Sequence, residues 1–214
     1  MNKEITFSPT EKKWLIGIGI ITLLFVILFT FNSKTNFNSP QTCGETLICS
    51  EYGVRIKGTN KPYTGIALAM IPSPDGMAKA ETHIVNGTPN GEERLYYYPS
   101  GQLQAIRYYV DGVLDKKVIS YYENGQVQME VAMFKGLKEG ISRSYYENGQ
   151  LHTEIPYING VENGLSRVYY PNGHLKGEIP FINGVENGIG REYNESGQIE
   201  MVNYVNGIRY PIRN

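Results

Sequence analysis

A unit of 24 residues recurs along this 214-residue chain and constrains its fold more than any other feature. The clearest copy reads Tyr-Tyr-Glu-Asn-Gly-Gln-Leu over residues 145–151. Its glycine returns at a constant step, at Gly101, Gly125, Gly149, Gly173 and Gly197. A fixed period in this range is typical of repeat proteins, in which each unit packs only on its neighbours.

Each unit has the pattern of a β-hairpin. Residues 151–158 alternate, with apolar side chains on one side at period two. Asn-Gly between two such runs is a strong hairpin signal, because both central residues of a type I′ turn need positive φ. We therefore expect a tight turn at Asn148-Gly149 and a looser one at Asn159-Gly160. The pattern predicts a mainly β fold, an elongated antiparallel meander of repeated β-hairpins.

The units depart from one another at a few positions. A further glycine opens the strand after the looser turn in most units (Gly140, Gly164 and Gly188), but Lys116 takes its place in an earlier one. Asn194 replaces the second tyrosine of the last unit. Residues 52–87 read as a degenerate first unit in which Pro72 suits an edge strand or a bulge. Residues 208–214 form a C-terminal tail that closes the other end.

Tyrosine recurs twice in each unit. Alternation assigns the two to opposite faces: Tyr97, Tyr121, Tyr145, Tyr169 and Tyr193 on one, Tyr98, Tyr122, Tyr146 and Tyr170 on the other. An arginine two residues before the first tyrosine shares its face. Such columns stabilise sheets through cross-strand pairs, but Tyr and Arg also dominate binding hot spots. The residues proposed to bind a partner are Tyr122, Tyr146, Tyr170, Arg143, Arg167 and Arg191.

The N-terminal region has the features of a membrane anchor. Residues 14–31 carry no charge over 18 positions, which spans roughly 27 Å as a helix and is enough for a bilayer core. Three lysines precede this run and one follows shortly after, which predicts a cytoplasmic tail at residues 1–13 and a repeat region outside the membrane. We therefore expect a single-pass protein of the inner (cytoplasmic) membrane. A cleaved secretory signal is the alternative, although no small-residue cleavage pattern follows the run.

Residues 32–51 are predicted to be a linker that contains the only two cysteines, Cys43 and Cys49. In an oxidising compartment these would form one small-loop disulfide that pins the start of the repeat region, residues 52–207. A redox or metal pair is the alternative. It lacks the Cys-x-x-Cys spacing, and no histidine lies nearby.

The remaining sequence disfavours several function classes. A net charge of −1 argues against a nucleic-acid partner. The three histidines, His83, His152 and His174, show no metal-binding spacing, and no nucleophile elbow or phosphate loop is present. Glu130, Glu154 and Glu178 recur in step, which suggests a solvated face more than a catalytic pair. We therefore expect a non-catalytic protein with no metal and no cofactor.

Taken together, the Tyr-Tyr-x-Asn-Gly-x-Leu units and the introductory Lys-Pro-Tyr-Thr-Gly at residues 61–65 resemble the MORN-repeat variant. They are most similar to the bacterial YwqK-type antitoxin family. The resemblance implies a repeat protein that binds and neutralises a toxin. Combined with the anchor, it suggests an immunity protein against a toxin or effector that acts in the envelope. The alternatives are an envelope scaffold or tethering protein and a lipid-surface binder. Exposed edges of a long meander also invite pairing into a homodimer.

Overall fold

The computed structural model of the protein describes residues 47–50, 53–59, 61–73 and 76–212. The predicted membrane helix at residues 14–31 and Cys43 lie outside these residues, so neither the anchor nor the disulfide is tested. Across the described ranges, no helix is long and apolar enough to cross a membrane.

Every regular element in the described part of the chain is a β-strand. The strands are β1 (Leu47–Ser50), β2 (Gly53–Ile56), β3 (Gly65–Ser73), β4 (Gly76–Val85), β5 (Thr88–Tyr97), β6 (Leu103–Val110), β7 (Val113–Tyr121), β8 (Val127–Phe134), β9 (Leu137–Lys138), β10 (Gly140–Tyr145), β11 (Leu151–Ile158), β12 (Val161–Glu162), β13 (Gly164–Tyr169), β14 (Leu175–Ile182), β15 (Val185–Glu186), β16 (Gly188–Tyr193), β17 (Ile199–Val205) and β18 (Ile208–Pro211).

The strands from β3 to β18 form one antiparallel sheet whose order in space is their order in the chain. Three two-residue strands, β9, β12 and β15, lie just before β10, β13 and β16 and pair with the preceding long strand. The predicted antiparallel meander of hairpins is therefore confirmed. At its N-terminal end β3 pairs only with β4, so Pro72 lies in an edge strand, where a missing N–H costs little.

A small hairpin packs against the N-terminal end of this sheet. Strands β1 and β2 pair with each other, and β1 lies within the segment predicted to be a linker. The Val54 N–H donates to the carbonyl of Gly87, 2.8 Å away, at the turn between β4 and β5. Val54 also packs with Ala67 and Ile84 in a buried apolar cluster. These contacts cover the first unit.

The two turn types are the reverse of those predicted: the turn at Asn159-Gly160 is the tight one, and the turn at Asn148-Gly149 is the wider one. In the turn at Asn159-Gly160 both residues have positive φ, 51° and 82°, which is the tight type I′ geometry. At the other turn only Gly149 has positive φ. There the side-chain oxygen of Asn148 accepts a hydrogen bond from the N–H of Gln150 at 3.0 Å. Asn148 therefore closes a wider turn through its own side chain and needs no left-handed backbone.

The tyrosine columns begin one residue earlier than predicted. Tyr96 pairs with Leu103 as Tyr121 pairs with Val127. The turn that follows contains one more residue than its counterparts, because the Gly101 N–H reaches back four residues to Tyr97 instead of three. Tyr98 lies in this turn and is 64% exposed. The assignment of Tyr97 and Tyr98 to the two columns is therefore wrong, and Tyr96 and Tyr97 take their places.

One face of the sheet, here called the inner face, carries the buried core, and the opposite face is called the outer face. The buried residues of the C-terminal units include Ile155, Tyr157, Ser166, Val168, Ile179, Phe181, Val202 and Tyr204. A single sheet buries this face because small residues lie opposite large ones. Three strand-opening glycines each pair with a buried aromatic residue, in the pairs Gly140–Tyr157, Gly164–Phe181 and Gly188–Tyr204. An aromatic ring that lies over a strand glycine compensates for its missing side chain.

Lys116 keeps the backbone of the glycine that it replaces, with φ of 66°. Side chains disfavour this left-handed region, so we expect Lys116→Gly to raise the free energy of unfolding by about 1 kcal/mol. That corresponds to a rise in Tm of roughly 2–4 °C for a chain of this size. Thermal unfolding followed by circular dichroism measures the change. The neighbouring Lys117→Gly is the control and should lower Tm, since Lys117 has no positive φ. A decrease for both variants would contradict the prediction.

Candidate binding face

The outer face carries a band of alternating charge, here called the polar band and formed by Glu130, Arg143, Tyr145, Glu154, Arg167, Tyr169, Glu178 and Arg191. Arg143 and Glu154 are direct partners across β10 and β11, and their side chains meet at 2.9 Å. Glu178 accepts from Arg167 at 3.2 Å and from Arg191 at 3.0 Å. The antiparallel register thus brings the three predicted arginines together on one face.

The first tyrosine column belongs to the same band. The hydroxyl of Tyr145 donates to Glu130 and that of Tyr169 donates to Glu154, both at 3.2 Å. Because Glu154 also accepts from Arg143, its carboxylate connects neighbouring units. The glutamates were predicted to form a solvated face, and the structure corrects this. Glu154 and Glu178 have side chains only 20% and 12% exposed. The oxygens of Glu154 accept from arginine and tyrosine, and those of Glu178 accept from two arginines.

The polar band therefore presents cations to solvent above shielded carboxylates. The side chains of Arg143, Arg167 and Arg191 are 40%, 41% and 52% exposed. Such partly exposed pairs contribute at most about 1 kcal/mol each to stability. Their main effect is to hold several guanidinium groups at fixed positions. Arginine held in this way is suited to contacts with a carboxylate of a protein partner.

A second band on the outer face is apolar and lies beside the tight turns. Large aliphatic or aromatic residues flank each Asn-Gly or equivalent turn and are exposed by 37–55% in the three best-formed units. We call these nine residues the apolar band: Phe134, Leu137, Ile141, Ile158, Val161, Leu165, Ile182, Val185 and Ile189. Register places them on one face, since Ile158 pairs with Val161 and Ile141 pairs with Pro156, two residues before Ile158.

The apolar band is continuous from unit to unit. A β-carbon placed on Gly160 would lie 3.4 Å from Leu137 of the preceding unit, and one placed on Gly184 would lie 3.2 Å from Val161. Pro156 fills the space beside Gly164 in the same way, at 3.0 Å. Sequence reasoning missed this band. The available signal was the recurrence of apolar residues on both sides of each Asn-Gly pair at the 24-residue period.

The second tyrosine column connects the units. The hydroxyls of Tyr122, Tyr146 and Tyr170 donate to the carbonyls of Tyr145, Tyr169 and Tyr193 in the next unit, at 2.7, 2.7 and 2.8 Å. The ring of Tyr146 lies 4.3 Å from that of His152. These three predicted binding residues thus have hydroxyls bonded to the backbone, and they connect each wider turn to the next unit.

The turn asparagines add a second connection between units. The side-chain amide of Asn124 donates to the carbonyl of Glu147 at 3.1 Å, and that of Asn148 donates to the carbonyl of Pro171 at 2.9 Å. In the last unit Asn194 stands where a tyrosine would reach forward. It bonds within its own turn instead, to Ser196 and Gln198. The series of forward hydrogen bonds therefore stops at Tyr170.

Glu186, on the inner face, lacks the tyrosine hydroxyl that donates to the equivalent carboxylate of the preceding unit, Glu162. Tyr157 pairs with Glu162 across the strands, and its hydroxyl donates to that carboxylate at 3.1 Å. One unit later the same register pairs Phe181 with Glu186, and phenylalanine has no hydroxyl. Burial, and then the neighbouring charges of Glu162 and Glu192, raise the pKa of Glu186 above its usual range. Glu186 is therefore a group whose ionisation opposes folding.

We expect Glu186→Gln to raise Tm at pH 7 and to leave it nearly unchanged near pH 4. The raised pKa means that the folded wild-type chain binds this proton more readily than the unfolded chain. The stability that this bound proton contributes is fully present below the pKa of Glu186 in the unfolded chain. It is lost as pH rises through the pKa of Glu186 in the folded chain. Thermal unfolding between pH 4 and pH 8 tests this, with Glu195→Gln in an exposed turn as the control. A lower Tm for Glu186→Gln at pH 7 would show that the charge stabilises the fold.

The described residues contain no cluster of three His, Cys, Asp or Glu side chains that could hold a metal ion. His83 has its Nδ1 at 2.9 Å from the carbonyl of Glu92, and His152 lies against Tyr146. These two histidines are thus placed among backbone and ring contacts of separate units.

Comparison with known proteins agrees with this geometry. No curated protein matches the chain. Four stretches match the family model described as MORN repeat variant, at residues 93–111, 114–135, 138–159 and 162–183. Each stretch contains one wider turn and ends at the first residue of a tight turn, and the last two each begin 24 residues after the one before. The chain is therefore a repeat protein that carries MORN-variant repeats.

Proposed function

We propose that the protein is a non-catalytic binding protein whose outer face holds a protein partner. The observation that carries this proposal is the polar band, where three half-exposed arginines are fixed at the spacing of the repeats. Charges arranged in this way select a partner with complementary carboxylates and accelerate its association. The tyrosine hydrogen bonds between neighbouring units reduce the ordering that binding would require.

The partner that we propose is a toxin or effector, so that this chain is its antitoxin or immunity protein. The support is the likeness to the YwqK-type antitoxins together with the presence of MORN-variant repeats, which suggest a binding role. The uncharged run at residues 14–31 supports a membrane-anchored protein whose repeats lie outside the membrane. In that location the partner would be an effector that acts in the envelope.

The test combines capture with inhibition. The full chain, tagged at its C-terminus, is used to isolate stoichiometric partners from the envelope of the producing cells. The proposal expects an effector whose activity the full chain abolishes. Arg143→Gln combined with Arg191→Gln should weaken this inhibition by 10-fold or more, because each exposed guanidinium that contacts a carboxylate contributes about 1 kcal/mol.

The control is Lys57→Gln, which removes one exposed charge in the turn after β2. Inhibition should be unchanged in this variant. If the arginine variant inhibits the effector as strongly as the wild type does, the binding site lies outside the polar band. Recovery of structural envelope components alone, with no inhibited activity, would favour an envelope scaffold.

A further inference from the structure

We propose that the apolar band joins two copies of this chain into a homodimer. This inference goes beyond the proposed function, which assigns the partner to the polar band. The apolar band consists of the nine residues from Phe134 to Ile189 defined above, all exposed in the single chain. No residue in it is charged, so the surface that covers it must also be apolar. The same band on a second copy is such a surface.

The size of the band agrees with a dimer interface. Nine large side chains that are about half exposed offer on the order of 700–800 Å² of apolar surface. A stable protein–protein interface buries about 800 Å² on each partner. Monomeric proteins rarely leave a contiguous apolar patch of this size in water. Burial against a second copy accounts for all of it without a further component.

The repeat spacing also favours a second copy. Two strands separate equivalent residues of adjacent units, so the apolar residues recur about every 9.6 Å along the sheet. A second copy has the same spacing and can interdigitate along several units. Sheet twist rotates the face from strand to strand, which limits close contact to a few units. The three units between Phe134 and Ile189 are within that limit.

The neighbouring charges do not oppose this contact. Beside the apolar band, Arg143, Arg167 and Arg191 are offset by Glu130, Glu154 and Glu178, with the two signs alternating across the strands. A two-fold axis through the apolar band would place the polar band of each copy at the rim of the interface. A charged rim around an apolar centre is the usual anatomy of such contacts. Both polar bands would remain accessible to a partner.

The experiment measures the mass of the purified full chain in mild detergent, by analytical ultracentrifugation over a range of protein concentrations. We expect a dimer for the wild type. Ile158→Lys combined with Ile182→Lys should weaken association by about 100-fold or more, because dimerisation would bury two unpaired ammonium groups per copy. Circular dichroism should show an unchanged fold, since both residues are half exposed in the single chain, and Tm should fall only by the stabilisation that dimerisation supplied. Glu147→Lys, in an exposed turn at the opposite edge, is the control and should remain dimeric.

Two results would overturn the proposal. A wild-type monomer at all concentrations would do so, and so would a double-lysine variant that still dimerises, which would place the contact at residues 14–31 or at β18. If the wild-type monomer instead binds an effector or phosphatidylcholine vesicles in a way that Ile158→Lys abolishes, that ligand is the occupant of the apolar band. Arg143→Gln should leave the dimer intact, so failure of this proposal and failure of the proposed function are separable.

Discussion

Gly190→Ala is expected to lower the free energy of unfolding by about 3 kcal/mol, the upper end of the usual cost of overpacking. A β-carbon on Gly190 would lie 2.6 Å from the carbonyl oxygen of Glu178 and 2.8 Å from the ring of Tyr204. Neither group can retreat at low cost. The carbonyl is backbone in a central strand, and Tyr204 is buried with its hydroxyl bonded to Glu192 at 2.9 Å.

Thermal unfolding of the full chain would measure this loss as a fall in Tm of roughly 6–12 °C. Gly177→Ala is a matched control on the same face. Its β-carbon would meet the nearest atom, the carbonyl oxygen of Arg191, at 3.5 Å, which is ordinary contact. If Tm falls equally in the two variants, the loss comes from replacing any glycine in these strands. The close approach of Tyr204 would then not be its cause.

Glu192→Ala is expected to cost about 3 kcal/mol or more for a different reason, the loss of a buried charge partner. Glu192 is 2% exposed. Its two oxygens accept from Tyr204 at 2.9 Å and from Arg209 at 3.0 and 2.8 Å. Removal of the carboxylate leaves a buried hydroxyl without its acceptor and a guanidinium with a single remaining carboxylate, that of Glu200. Urea unfolding gives the free energy directly.

Two further variants distinguish the charge from the packing. Glu200→Gln removes the more exposed of the two carboxylates bonded to Arg209, and it should cost less than about 1 kcal/mol. Combining Glu192→Gln with Arg209→Met should be less harmful than Glu192→Ala, because neither charge is then left unpaired. If the double variant is as unstable as Glu192→Ala, the effect comes from lost packing around β16 and not from the ion pair.

Much of the fold could be predicted from the sequence because the same hairpin pattern recurs in successive units. The alternation and the strand-opening glycines gave the correct antiparallel meander. The two turn types could not be distinguished from the sequence, because Asn148-Gly149 and Asn159-Gly160 are the same dipeptide. They differ because the Asn148 side chain closes its own turn, whereas Asn159 adopts positive φ.

The unit that contains Gly101 shows how a constant spacing can mislead. Gly101 and Gly125 are 24 residues apart, although Tyr97 and its structural counterpart Tyr122 are 25 apart. The extra residue lies inside the turn and before the glycine, so the glycine spacing conceals it. Tyrosine identity cannot resolve this, because residues 96, 97 and 98 are all tyrosine. Hydrogen bonding of Tyr97 to the next unit decides the alignment.

The candidate site was predictable only in part. Arg143, Arg167 and Arg191 share a face with the first tyrosines, as two-residue spacing requires. The apolar band was not found, because residues such as Ile158 and Val161 have the composition of a core. Only the register shows that they lie on the outer face, while serine and glycine take the inner positions opposite the large buried residues. Residue type alone therefore does not assign these residues to a face of the sheet.

The agreement between strand order and chain order determines how the sheet would respond to mechanical tension. In an antiparallel meander the inter-strand hydrogen bonds lie across the strands, and each strand is bonded to its sequence neighbours. A pull on the two ends of the chain loads the outermost ladders first and opens their bonds one after another. At any moment the force has to break only a few hydrogen bonds. It does not have to break all the bonds of a strand at once, as it would if the strands were pulled in shear. Under load the repeats would lengthen unit by unit, from β3 inward and from β18 inward.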